Sequence, residues 1–176
     1  SARQPRLTGS GTASLLVQLL DGGGNVLGTT TAAGDGSFTL APINNLTDGG
    51  YTLKATVVDV AGNVSAPGTA LSLTIDGTPP ATAPAPVLLT ADDTGSKGDN
   101  LTSLRQPRLT GTVEPNASVR LLNSAGTLLG ATTAAANGSY TVSPSSALSE
   151  GTTALRVEIV DAAGNISAIG TYLNLT

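Results

Sequence analysis

Nine consecutive residues, Asp92-Asp93-Thr94-Gly95-Ser96-Lys97-Gly98-Asp99-Asn100, hold most of the chemistry that this sequence offers. Three carboxylates in a glycine-rich stretch repel one another unless a cation or a neighbouring donor offsets them. Oxygen ligands from Asp92, Asp93, Asp99 and Asn100, together with backbone carbonyls, suit Ca²⁺, a hard ion that takes about six to eight oxygens. The spacing is neither that of an EF-hand loop nor that of the Gly-Gly-x-Gly-x-Asp nonapeptide of calcium β-rolls. Asp, Asn and Gly also make good turns and keep an exposed loop soluble, so a plain solvated turn is the competing reading. A second motif, Asp-x-Ala-Gly-Asn, occurs at Asp59–Asn63 and again at Asp161–Asn165. Its Asp is either a further ligand or the closing residue of a tight hairpin in which Asn and Gly accept left-handed backbone.

The remaining composition excludes a good deal. The 176 residues include no His, Cys, Met or Trp. A Ser-His-Asp triad, a cysteine nucleophile, a disulfide framework and the usual zinc or haem sites are therefore all ruled out. Glu114 and Glu150 are single acids without a paired carboxylate, so glycosidase chemistry has little support and no enzyme is expected. Eight Lys and Arg against twelve Asp and Glu give a net charge of −4, and the basic residues are scattered. Nucleic acid is not an expected partner, because no basic stripe meets phosphates and Phe38, Tyr51, Tyr140 and Tyr172 form no stacking platform. No run approaches about 18 consecutive apolar residues, so no membrane insertion is expected.

These residues must be positioned by something, and an internal duplication shows what. Arg3-Gln4-Pro5-Arg6-Leu7-Thr8-Gly9 returns as Arg105-Gln106-Pro107-Arg108-Leu109-Thr110-Gly111, and the same offset aligns Asp59–Ser65 with Asp161–Ser167. Laid on 103–176, residues 1–74 need no gap, and half of the aligned positions are identical. The stretch 75–102 has no internal partner, as expected of a window on a longer tandem array whose first copy lacks its opening segment. The expected organisation is a module at 1–76 without its first strand and acidic loop, a proline-rich linker at 77–86, and a module at 87–176. Four prolines between Asp76 and Pro86 favour a stiff, extended path.

Within a module the period is two. Leu155, Val157 and Ile159 alternate with Arg156, Glu158 and Val160, and Leu53, Ala55 and Val57 alternate with Lys54, Thr56 and Val58. Turn residues separate such runs at Asp21–Asn25, Asp35-Gly36, Asp48–Gly50 and Asn137-Gly138. Strands are expected near 86–90, 107–113, 117–123, 127–133, 138–143, 153–160 and 169–176. The fold class is all-β: two tandem Ig-like antiparallel β-sandwiches. In that topology the loop after the first strand and the end of the last strand share one pole, while the Asp-x-Ala-Gly-Asn loop takes the other. Successive modules would then bring together an acidic loop, the linker Asp and the next module's Asp-x-Ala-Gly-Asn loop. Here that pairs Asp76 with Asp161, leaves Asp92, Asp93 and Asp99 for a following module, and leaves Asp59 for a preceding one.

The ordered set Asp92-Asp93-x-Gly95-x-x-Gly98-Asp99-Asn100-x-Thr102, Gln106-Pro107-x-Leu109-x-Gly111, Val119-x-Leu121, Gly138-x-Tyr140 and Val160–Ser167 resembles the bacterial Ig-like repeats of giant type I-secreted, RTX-type surface adhesins. The resemblance covers essentially the whole chain, twice. It implies rod-like extender modules outside the cell, in proteins that form biofilms or bind hosts and surfaces. It implies Ca²⁺ at module junctions, with Asp76, Asp92, Asp99 and Asp161 as ligands, and neighbouring repeats of the same chain as partners. Two departures are visible. The first copy has no acidic loop, and Asn123 stands where the first copy has Asp21. A carbohydrate- or protein-binding Ig-like module of a secreted protein is the alternative, although four aromatics are few for a glycan platform.

Overall fold

Val17 and Leu19 turn into the first core while Leu16, Gln18 and Leu20 turn away from it, the alternation that a pleated strand imposes on its side chains. The computed structural model describes residues 3–176; Ser1 and Ala2, which open the first expected module, lie outside them. The chain divides after Gly77 into two compact units. Residues that the sequence assigns to a linker, Thr78 onwards, are part of the second unit, where Ala83 and Pro86 are buried.

The first unit contains β1 (Leu7–Ser10), β2 (Leu16–Leu20), β3 (Val26–Thr31), β4 (Ser37–Leu40), β5 (Gly49–Val58) and β6 (Leu71–Ile75). They form a four-stranded sheet in the order β3-β2-β5-β6 and a two-stranded sheet of β1 and β4, with every pairing antiparallel. The second unit repeats the plan with one strand more. It contains β7 (Val87–Leu88), β8 (Leu109–Thr112), β9 (Ser118–Asn123), β10 (Leu128–Thr133), β11 (Ser139–Val142), β12 (Thr153–Val160) and β13 (Leu173–Leu175). Its sheets run β10-β9-β12-β13 and β11-β8-β7. All seven expected strands of this copy are present, so each unit is an Ig-like β-sandwich. No helix occurs among the described residues, and hence none that is long and apolar enough to cross a membrane.

β12 keeps the expected bounds, whereas β7 is shorter than its sequence signal and β8 starts later, for a local reason. Pro84, Pro86 and Pro107 lack the N–H that a ladder requires, and the ladder of β7 is only two residues long. In both units an aromatic ring covers a glycine on the adjacent strand. Gly9 faces Phe38 and Gly111 faces Tyr140 in register. A Cβ on Gly9 would lie 2.5 Å from the Phe38 ring, and one on Gly111 would lie 2.4 Å from the Tyr140 hydroxyl. The ring thus fills the space that a side chain on the glycine would otherwise take. A shared ion pair locks the loop before each β1-type strand to the loop before each β5-type strand. Arg3 meets Asp48 at 3.0 Å, and Arg105 meets Glu150 at 2.6 Å.

Candidate functional site

The acidic loop begins where β7 ends. The Asp92 and Asp93 N–H groups both donate to the Leu89 carbonyl, at 2.7 and 3.1 Å, and this turn carries both carboxylates inward. Asp92 and Asp93 are 4% and 5% exposed, an unusual degree of burial for two adjacent carboxylates.

The two acids then meet different fates. One Asp92 oxygen accepts the Arg108 backbone N–H at 2.7 Å and its Nε at 2.9 Å, while Nη2 of the same guanidinium reaches the other oxygen. These hydrogen bonds and the positive charge hold the Asp92 carboxyl down at about 2, well below the ordinary 3.8. Asp93 has no such partner. Its Oδ2 accepts the Gly98 N–H at 2.5 Å, and its Oδ1 is buried without any hydrogen bond. A buried anionic oxygen left in this state costs free energy unless a cation or donor offsets it.

The rest of the loop closes on itself and on the chain's last strand. Gly95, Gly98 and Asn100 take positive φ of 78°, 90° and 60°, which curls the backbone back toward β8. Lys97 Nζ donates to the Asp93 carbonyl. The Thr102 hydroxyl donates to the Asp92 carbonyl at 2.6 Å. The Asn100 carbonyl accepts the Thr176 N–H at 3.0 Å, and the Thr102 N–H donates to the Thr176 carbonyl at 2.8 Å. The acidic loop and the end of β13 therefore share one pole, as the topology requires. Asp99 is exposed, with Oδ1 accepting the Leu101 N–H at 2.9 Å.

Asp161 lies elsewhere. Thr153 pairs with Leu175 at the acidic pole, and Asp161 follows the far end of β12, eight residues and roughly 25 Å along the strand. Its Oδ1 accepts the Ala163 and Asn165 N–H groups, each at 2.8 Å, and its Oδ2 accepts Asn165 Nδ2 at 2.8 Å. Asp59 repeats this with Ala61 and Asn63. The hydrogen bonds, led by the one from the Asn side chain, lower the carboxyls of both Asp59 and Asp161. Gly62 and Gly164 supply the positive φ, 88° and 84°, that the loop demands. The Ser that ends each motif donates its N–H to the strand just left, Ser65 to Val57 and Ser167 to Ile159, both at 2.9 Å. Its hydroxyl accepts the N–H of that strand residue in return. Every fixed position of the motif thus has a part in building the turn.

The same five-residue loop joins β2 to β3 and β9 to β10; the sequence marks Asp21–Asn25 as a turn but not as a further copy of this loop. Asp21 accepts from Gly23 and Asn25, and Asn123 accepts from Ala125 and Thr127 through Oδ1. The exchange of Asp for Asn between the copies preserves that acceptor. The signal was present in the sequence as a polar residue four positions before Asn or Thr, with Gly between. Arg108 was also missed as a partner, though it stands in the most obvious repeated motif. Asp76 is half-buried directly after β6, next to Gly77, whose N–H donates to Asp48 at 3.0 Å.

Among the described residues, no three acidic side chains are gathered closely enough to hold a metal ion. Asp92 is neutralised by Arg108, and Asp59 and Asp161 serve their own turns. Asp93 keeps one buried oxygen without a hydrogen bond, on the same loop as Asp99 and Asn100.

The profile of the bacterial Ig-like domain family matches residues 1–77 and again 80–176. No curated protein matches the chain. Similar solved structures include a Ca²⁺-stabilised adhesin that helps an Antarctic bacterium reach out and bind ice, at 22% identity and a TM-score of 0.43 over 98% of this chain and 43% of that one. A bacterial ice-binding adhesin of 1.5 MDa, in work on host cell surface retention, is similar at 19% identity and a TM-score of 0.42, over 98% and 57% of the respective chains. A tetra-tandem repeat in the extending region of a large adhesion protein gives 26% identity and a TM-score of 0.37, over 98% and 45%. The chain spans less than two thirds of each of these structures.

Proposed function

The chain belongs to the bacterial Ig-like domain family, and on that footing we propose that its modules are extender repeats of a large bacterial cell-surface adhesin. They act as a stalk outside the cell and carry a distal binding domain for surface attachment or biofilm formation. The observation that carries this reading is the tandem repetition of one sandwich with its polar groups committed to architecture. The Arg–carboxylate pair, the aromatic-covered glycine and the four five-residue loops all recur, and each is spent on holding strands and turns together. A module built this way offers neighbours of its own kind as partners.

Calcium belongs to this proposal as the group that stiffens the module ends. Asp93 would be its anchor, since a bound dication would neutralise the buried Oδ1 that nothing else in the loop satisfies. Asp99 and Asn100 would complete the loop's share. Asp76 and the loops of Asp59 and Asp161 would offer their exposed edges to ions shared with neighbouring repeats. Asp92 would orient the loop through Arg108 without ligating.

The test is the thermal midpoint and small-angle scattering of the chain extended by one further repeat, in millimolar Ca²⁺ and in chelator. A higher midpoint and a longer particle with Ca²⁺ support the proposal. Identical curves in the two conditions remove calcium from it.

A further inference from the structure

The turn between β3 and β4 returns between β10 and β11 with one chemical difference. In the first module the Ala33 N–H donates to the Ser37 carbonyl at 2.8 Å, and the Gly36 N–H donates to the Ala33 carbonyl at 2.9 Å. In the second, Ala135 and Ser139, then Gly138 and Ala135, repeat these bonds at 2.8 Å each. Gly36 and Gly138 take φ of 83° and 81°. Gly138 has no room for a side chain, since a Cβ would lie 2.2 Å from the Val113 carbonyl oxygen. The residue before the glycine differs: Asp35 in the first module is Asn137 in the second.

The two side chains are held alike. Asp35 Oδ1 accepts the Ser37 N–H at 2.9 Å and the Ser37 hydroxyl at 2.7 Å. Asn137 Oδ1 accepts the Ser139 N–H at 3.0 Å and the Ser139 hydroxyl at 2.7 Å. A side-chain oxygen bonded two residues onward folds back over its own main chain, which turns Asn137 Cγ toward the Gly138 nitrogen. Two donors on the amide oxygen draw electron density from Cγ and stabilise an oxyanion formed there. Asn137 is exposed, and it is the one asparagine of the sequence that glycine follows. Glycine has no side chain to shield its nitrogen. At Asn123, whose Oδ1 also takes two N–H groups, the next residue is Ser124.

We propose that Asn137 is a site of spontaneous deamidation that its turn steers to ordinary aspartate, giving the second module the carboxylate that the first carries at Asp35. The step begins when the Gly138 N–H leaves the Ala135 carbonyl. The Gly138 nitrogen attacks Cγ, the Cγ–Nδ2 bond breaks, and ammonia departs with the proton that the nitrogen gives up. The product is a five-membered cyclic imide, which one water then opens. Addition at Cγ breaks the bond to the Gly138 nitrogen and restores the main chain with aspartate. Addition at the main-chain carbonyl carbon instead routes the chain through the side chain as isoaspartate. Both Ser139 donors sit on the Cγ oxygen, so they activate the first of these carbons. The aspartate finds its two donors in place, as Asp35 does, whose carboxyl the Ser37 N–H and hydroxyl hold below the ordinary range. Isoaspartate puts an extra carbon into the main chain of a turn whose bonds close on Ala135 and Ser139. The overall step consumes one water and releases one ammonia.

The test incubates the whole folded chain in mildly alkaline heavy-oxygen water, beside a synthetic peptide of residues 133–144 as the unfolded reference. Digestion and mass spectrometry then locate the incorporated oxygen, and fragmentation separates aspartate from isoaspartate. We expect label at position 137 ahead of every other asparagine, with a ratio of aspartate to isoaspartate several-fold above that of the peptide. Ser139→Ala should bring the ratio down to the peptide's value, and Ser139→Thr, which keeps the hydroxyl, should preserve it. The Asn137→Asp chain should melt with the native chain, because the product fits the turn. No label at position 137 once the peptide is fully converted would overturn the proposal. So would a folded chain that yields isoaspartate in the peptide's proportion, a ratio indifferent to Ser139→Ala, or an Asn137→Asp chain that melts well below the native one.

Discussion

Asp92 and Arg108, sixteen residues apart, are joined by both backbone and side chain: the carboxylate takes the arginine's N–H at 2.7 Å and its guanidinium beside it. The pair fixes where the acidic loop leaves β7 and how it lies on β8. It also separates two neighbouring aspartates into one that is satisfied and one that is not.

The pH dependence follows from that pair. The Asp92 carboxyl sits at about 2 when folded against 3.8 otherwise, so the unfolded chain takes up a proton at the higher pH. The stabilisation is complete above about pH 4 and is lost as the pH falls through about 2. Asp161 in the same module is shifted in the same direction. Urea midpoints of the second module should therefore fall steeply between pH 4 and pH 2. In Asp92→Asn that slope should be shallower, with a midpoint several degrees lower in thermal melts near neutrality. A slope unchanged by Asp92→Asn would show that the pair contributes nothing.

Asp93 offers the opposite result. Its buried Oδ1 has no hydrogen bond, so a neutral amide of the same shape, whose oxygen can still accept the Gly98 N–H, lowers the cost of burying this side chain. Asp93→Asn should be at least as stable as the native chain in chelator. Any stabilisation by Ca²⁺ should disappear in the variant. If Ca²⁺ stabilises Asp93→Asn as much as the native chain, Asp93 is not the anchor.

The Tyr140 hydroxyl is buried without a partner, and burial pushes its ionisation up to about 12. The first module has Phe38 at the equivalent position, covering Gly9 as Tyr140 covers Gly111. Tyr140→Phe should leave stability unchanged or raise it by up to about 1 kcal/mol, because an unsatisfied hydroxyl is lost and the ring is kept. Chemical denaturation measures this, and a loss above that size would mean that the hydroxyl finds a partner in solution.

The turn at Asp161 can be separated from any cation role. Asn123 shows that an amide oxygen closes the same loop. Asp161→Asn should therefore stay near native stability in chelator, whereas Asp161→Ala removes the acceptor and should lower the midpoint. Gly164→Ala should cost roughly 1–2 kcal/mol, because φ of 84° suits few other residues. Equal melting of Asp161→Ala and the native chain would contradict the account of this turn.

Much of the architecture was legible in the sequence because it is locally encoded. The period of two in Leu155, Val157 and Ile159 placed β12, and the duplicated Asp-x-Ala-Gly-Asn placed two hairpins whose hydrogen bonds span four residues. The same locality let Asn123 replace Asp21 without altering the loop. What the sequence left open depends on groups far apart along the chain. Asp92 and Asp93 are chemically identical neighbours. Only the turn at Leu89 and the placement of Arg108 on β8 decide that one meets a guanidinium and the other is buried alone. The proline-rich segment, read locally as a stiff linker, lies instead on the second sandwich, because Gly170 leaves room for Ala83 and Leu109 offers a partner to Leu88. Sequence set the strands, turns and repeat through short-range geometry. The tertiary structure alone decided which charges are satisfied and where the proline-rich segment lies, since both depend on what long-range packing places beside them.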